Sequence, residues 1–171
     1  MVGWLDSTID MNSWDVIVLN FGQHSAAGAE HWTVGEYGRW VHAFLEAIAT
    51  RLKEQSQTSK SGEGVQSKQH ETRIVWMASS AMVLAKDNQI KTSKDWRTNP
   101  RLALYEEQAK EKVLQLQRNL GKHRVMYMDV FNMTLPMIDN AKGDCGHFLP
   151  SNIQNAMVQK LLSFACPHEG V

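Results

Sequence analysis

Three short, continuous apolar runs alternate along this chain with long stretches in which apolar residues recur every three or four positions. The first run, Asp15-Val16-Ile17-Val18-Leu19-Asn20-Phe21-Gly22, has the pattern of a strand buried on both faces and is expected to be a central parallel strand. Arg73-Ile74-Val75-Trp76-Met77-Ala78 and Arg124-Val125-Met126-Tyr127-Met128-Asp129 repeat the pattern. Residues 34–53 predict a helix with Tyr37, Val41, Phe44, Leu45, Ile48 and Leu52 on one stripe, while Arg39, Glu46 and Arg51 lie away from it. Asn99-Pro100 supplies a cap and a first-turn proline for a second helix that stops at Gly121. Its stripe is Leu102, Tyr105, Ala109, Val113, Leu116 and Leu120, with Glu106, Lys110 and Lys112 expected on wetter faces. A last helix, capped by Ser151, carries Ile153, Met157, Leu161 and Phe164 and is followed by Pro167. The order βαβαβα predicts a three-layer α/β fold with a mostly parallel sheet and right-handed crossovers.

The connecting segments are polar. Residues 54–72, including Gln-Ser-Gln-Thr-Ser-Lys-Ser-Gly-Glu-Gly, offer almost nothing to bury and read as a flexible surface insertion. Residues 81–98 form a long polar loop, the kind that serves as a lid or binding edge. Within it, Trp96 and Arg97 have two readings: lining a substrate groove, or tethering the loop to the body.

Composition narrows the function classes. The 171 residues are 43% hydrophobic with a net charge of zero, enough for one domain with a core and no general pull toward nucleic acid. No stretch approaches the length of a membrane span, and Met1 to Asp6 lacks the basic-then-apolar pattern of a leader, so the chain as written is expected to be soluble and unaddressed. Cys145 and Cys166 bracket a helix of about fifteen residues that holds them roughly 20 Å apart, so no bridge between them is expected. Zinc is not expected without a Cys-x-x-Cys or paired Cys/His cluster. No Gly-rich phosphate loop follows a strand, which argues against a flavin or nucleotide cofactor, and none is expected. Asn132-Met133-Thr134 is an N-glycosylation sequon, relevant only on the secretory path.

Candidate chemistry gathers at strand ends, where ligands bind in open α/β sheets. Asn20 ends the first strand and either presents its amide to that crevice or caps the strand-to-loop turn, while Gly22 lets the backbone turn sharply. His24 and His31 follow in a loop of small residues, as ligand contacts or as solvated histidines. Ser79-Ser80 lacks a nucleophile elbow and reads as loop hydroxyls serving the backbone. In Gly143-Asp144-Cys145-Gly146-His147-Phe148-Leu149-Pro150, an acid three residues before a histidine can accept from its Nδ1–H and fix the tautomer, the back half of a nucleophile-activating relay.

Together, the passage from Leu5-Asp6-Ser7 through Asn20-Phe21-Gly22-Gln23-His24, the segment Asp95-Trp96-Arg97-Thr98-Asn99 and the segment Asp144-Cys145-Gly146-His147-Phe148-Leu149-Pro150 resemble the PC-esterase branch of the SGNH (GDSL-like) hydrolases. That group includes plant trichome-birefringence-like polysaccharide O-acetyltransferases. The resemblance implies an SGNH-like, flavodoxin-like sandwich acting on acyl esters of carbohydrate, with a secretory location. It implies Asn20 as oxyanion donor, His147 as general base and Asp144 as its orienting carboxylate. Gly22, His24, Trp96 and Arg97, from their places in the strand-end and loop segments, are the candidate substrate-groove residues. The chain departs from the family pattern in lacking the second cysteine of the last block and in placing Gln23 beside His24. It also has no Gly-Asp-Ser, and Asp6-Ser7 lies too close to Asn20 to replace it. The expectation is therefore a single partial domain without its first, nucleophile-bearing strand, and the alternative is a non-catalytic remnant that binds a glycan or a partner protein. A sheet deprived of that strand exposes an apolar edge open to self-association.

Overall fold

A computed structural model describes residues 13–27, 32–58, 71–82, 97–140 and 152–166. Strands β1 (Val16–Leu19), β2 (Arg73–Met77) and β3 (Val125–Met128) form a parallel sheet in the order β1-β2-β3. Val16 pairs with Arg73 and Ile74 with Val125, and the register continues from there. Helix α1 (Gln23–Ala26) follows β1, α2 (Val34–Thr58) and α3 (Asn99–Leu120) are the two crossovers, α4 (Val130–Thr134) leads into a 3-10 turn over Leu135–Asn140, and α5 is Asn152–Ala165. Among the described residues, no helix is long and apolar enough to cross a membrane.

Because each strand joins the sheet on the same side of the last, right-handed crossovers place α2 and α3 together on one face. The two helices approach closely at Gly38, where an added Cβ would lie 2.6 Å from Gln108 Oε1. His42 Nε2 lies 3.2 Å from the Gln108 carbonyl, and Lys112 reaches from α3 to Glu46 on α2. Side chains alternate along a strand, so Ile74 and Trp76 face this helical pair while Arg73, Val75 and Met77 face the other way. On that second face, Arg73 donates to the Phe164 and Ala165 carbonyls at 2.8 and 2.9 Å, which fastens the end of α5 under the sheet. Helices on both faces are compatible with a three-layer α/β sandwich.

The predicted stripes are the core. Tyr37, Val41, Leu45, Leu52, Leu102, Tyr105, Ala109 and Val113 are completely buried, as are Val75 and Trp76. Each large side chain among them contributes about 1.5–3 kcal/mol by leaving water. Thr33 and Glu36 form a reciprocal capping box at the start of α2: Thr33 N donates to Glu36 Oε2 at 2.7 Å and Glu36 N to Thr33 Oγ1 at 3.2 Å.

Four expectations need correction. β1 is an edge strand among the described residues, not a central one, and Val18 is 41% exposed rather than buried. An apolar run shows that a strand meets a core but not how many strands flank it. Helix α2 continues to Thr58, so residues 54–58 of the expected insertion are helical, and residues 59–70 lie outside the described residues. Those extra residues have a polar task, because buried Arg124 donates to Ser56 Oγ at 2.6 Å, Gln55 Oε1 at 3.1 Å, and the Thr72 carbonyl at 3.3 Å. Glu106 and Lys112 are buried, not wet. Finally, Thr98 is the N-cap of α3 and Asn99 lies inside the helix, where its amide clamps the Met82 backbone through N–H and carbonyl at 2.7 and 2.9 Å.

Arg124→Lys keeps the charge but cannot span those acceptors. It is expected to cost about 1.5–3 kcal/mol of stability, read as a lower urea midpoint at unchanged slope.

Candidate functional site

The carboxyl ends of the three strands meet in a hydrogen-bonded floor. Asn20, exposed just past β1, donates from Nδ2 to the Met77 and Ala78 carbonyls at 2.8 and 3.3 Å, stitching β1 to the end of β2. Gly22 follows at φ 143°, and a Cβ there would lie 2.4 Å from Ser79 Oγ. Both the left-handed backbone and the close approach therefore require glycine. Gln23 Nε2 donates to the Ser80 carbonyl and hydroxyl at 3.1 and 3.0 Å. Ser79 is buried, and its hydroxyl donates to the Phe21 carbonyl at 3.1 Å, which also accepts from Tyr37 at 3.2 Å. With its hydroxyl buried and engaged in this way, Ser79 is a structural residue.

Beneath this floor lies Glu106 of α3, only 4% exposed. Its Oε1 accepts from the Ser79 backbone N–H at 2.8 Å. Burial pushes the carboxyl from 4.5 up to about 7, against the lowering influence of the Ser79 hydrogen bonds and the Trp76 indole, and the Asp129 carboxylate adds a smaller push upward. Glu106 Oε2 and Trp76 Nε1 are both buried without a hydrogen-bond partner, so the indole acts on the carboxyl by proximity. Tyr37 and Tyr127 have raised hydroxyl pKa values, chiefly from burial and next from Glu106. Asp129, at the end of β3, is occupied with capping α4: it accepts from Asn132 N at 3.2 Å and pairs with Lys110 at 3.5 Å.

The structure thus brings Asn20 and Gly22 together with Ser79 and Glu106. His24 is exposed on α1, and Arg97 is half-buried immediately before α3. His147, Asp144 and Trp96 lie outside the described residues, as does His31. Cys166 is free and exposed. In the sequon, Asn132 is exposed while Thr134 is buried, its hydroxyl accepting from Ala81 N at 2.8 Å. No group of three or more His, Cys, Asp and Glu suited to a metal ion occurs among the described residues.

Glu106 was missed because its charge outweighed its position. The spacing Leu102, Glu106, Ala109, Val113 is itself a buried-face spacing, and Tyr105, Ala109, Lys112, Leu116 is another. No family model matches the chain, and no curated protein or solved structure matches it either.

Two outcomes follow from the geometry. The folded state holds the Glu106 proton between pH 4.5 and about 7 while the unfolded chain releases it. The stabilisation is therefore complete below pH 4.5 and disappears as pH rises to about 7, a loss of about 3 kcal/mol at most. Urea unfolding across this range should show that decline, and Glu106→Gln should flatten it. Gly22→Ala is expected to destabilise by about 1–3 kcal/mol through its strained backbone, measured by the same denaturation.

Proposed function

We propose that the chain is the later part of an SGNH hydrolase domain of PC-esterase type, related to acyl esterases or O-acetyltransferases acting on carbohydrate, whose nucleophile-bearing strand is not in this sequence. The observation that carries this reading is the edge position, among the described residues, of the strand that leads into Asn20. β1 has no neighbour on its outer side among the described residues, and the sheet face that α5 covers is left open over Val18. Helix α5 runs antiparallel to the strands, because its carboxyl end meets Arg73 at the start of β2. On a right-handed helix in that orientation, the residue after each stripe position turns toward the β1 side. Those residues are Val158 and Leu162, 46% and 53% exposed. An added strand beside β1 with its own helix would cover all three apolar groups and bring a nucleophile next to Asn20.

In that arrangement a serine at the end of the added strand attacks the acyl carbonyl, and His147 Nε2 takes its proton while Asp144 holds the imidazole from the other nitrogen. The Asn20 amide stabilises the oxyanion, which requires Nδ2 to turn from the Met77 and Ala78 carbonyls toward the substrate. The second reading, a non-catalytic remnant that binds a glycan or partner protein, is favoured by that same pair of hydrogen bonds, since both amide hydrogens serve the sheet.

The gene upstream of Met1 is expected to encode a strand ending in Gly-Asp-Ser, and a protein containing it should release acetate from an aryl acetate. His147→Ala should lower that release by a factor on the order of 10⁴. Absence of such a strand defeats the partial-enzyme reading, and hydrolysis unchanged by His147→Ala defeats the relay.

A further inference from the structure

We propose that Glu106 is a proton-operated latch beneath the crevice floor: when its Oε2 gives up a proton to solvent, that oxygen takes a hydrogen bond from the Trp76 indole, and when the proton returns the bond opens. The latch rests on the buried cluster alone and does not depend on the esterase reading.

Two polar atoms of this cluster stand side by side unused. Glu106 Oε2 and Trp76 Nε1 are both buried without a hydrogen-bond partner, yet they are near enough for the indole to act on the carboxyl. A buried polar group left in that state costs about 1–3 kcal/mol, a cost that falls when the two bond to each other. Protonation explains why they do not. Oε1 already accepts from the Ser79 backbone N–H at 2.8 Å, so a proton on the carboxyl sits on Oε2. There it faces the indole N–H donor with a second donor, and an indole has no acceptor to offer. Loss of the proton breaks one O–H bond, leaves its electron pair on the carboxylate and makes Oε2 an acceptor only. The indole then has a charged partner, and the bond from Ser79 becomes charge-assisted as well.

The surroundings let the carboxyl turn. Trp76 and Tyr127 are register neighbours on β2 and β3 and share the face under α3. On the crevice side lies Gly22, whose missing Cβ would stand 3.3 Å from Oε1, so the turning group meets no side chain there. The two states are close in free energy near neutral pH, because burial raises the carboxyl to about 7 while the Ser79 and Trp76 hydrogen bonds hold it from rising further.

The other titratable groups around the carboxyl are Tyr37 on α2, Tyr127 on β3, Asp129 just past β3, and Tyr105 and Lys110 along α3 itself. The three tyrosines have raised hydroxyl pKa values and keep their protons at neutral pH. Asp129 pairs with Lys110 and accepts from the Asn132 side chain. His42 of α2 meets α3 at the Gln108 carbonyl, and His24 of α1 is exposed. Glu106 is therefore the member of the cluster that changes charge in the neutral range.

The test is the Trp76 indole N–H resonance of the unaltered chain, followed through the neutral range in proton–nitrogen correlation spectra. Its proton should shift downfield as pH rises, with the shift lost in Glu106→Gln and kept in Asp129→Asn, which preserves the helix cap. Trp76→Phe, which removes the donor, should move the midpoint read at the Ser79 amide to higher pH. The indole titration needs no substitution, so it decides the matter even if Trp76→Phe does not fold. An indole proton that stays in place or moves upfield overturns the latch, as does a downfield shift that survives Glu106→Gln or vanishes in Asp129→Asn. Each readout is a hydrogen bond rather than a hydrolysis rate, so the latch and the proposed chemistry stand or fall separately.

Discussion

The hydrogen bond from the Ser79 backbone to the Glu106 carboxyl is the constraint on which the crevice floor depends. It joins the end of β2 to the middle of α3. From that point the Ser79 hydroxyl holds the Phe21 carbonyl, which Tyr37 holds from α2. Tyr37 in turn stacks on Tyr105, ring centroids 4.1 Å apart, one residue before Glu106. The loop after β1 and both crossover helices are thus tied into one closed circuit, and Gly22 fits over it because it has no side chain. Placing a carboxyl there costs desolvation, and the cost appears as its shifted titration rather than as an unpaired buried charge.

The same circuit frames the question of function. Asn20 stands at its edge with Nδ2 bonded to the neighbouring strand. A floor this well tied keeps the Met77 and Ala78 carbonyls in place, so the amide has a fixed resting position. In the chemistry proposed above, a substrate oxyanion would have to draw the Asn20 amide away from two neutral carbonyls, a contest that a charged acceptor wins more readily.

Much of the fold was legible in the residues because packing leaves its period behind. Tyr37 to Leu52 and Leu102 to Leu116 repeat every three or four positions, and the strands are short unbroken apolar runs, so element type and order followed directly. The rank of β1 in the sheet was not legible, since Val16 to Leu19 look the same with one neighbour as with two. Polar residues with interior duties were also misplaced: Gln55 and Ser56 looked like linker because their task, satisfying Arg124, depends on a residue some seventy positions away. At the site, Asn20 and Gly22 could be picked out from their place at a strand end, and the spacing of Glu106 marked a buried position, but its partner was not legible, because only the folded sheet puts Ser79 above it.

The account's central claim is that a single buried carboxyl pins the crevice floor, and the most direct measurement is the carbon-13 shift of the Glu106 carboxyl followed through a pH titration. A midpoint near 7, with the Ser79 amide and the Asn20 side-chain amide moving at the same midpoint, is the predicted result. A midpoint in the ordinary carboxylate range, with the Ser79 amide silent, would contradict it.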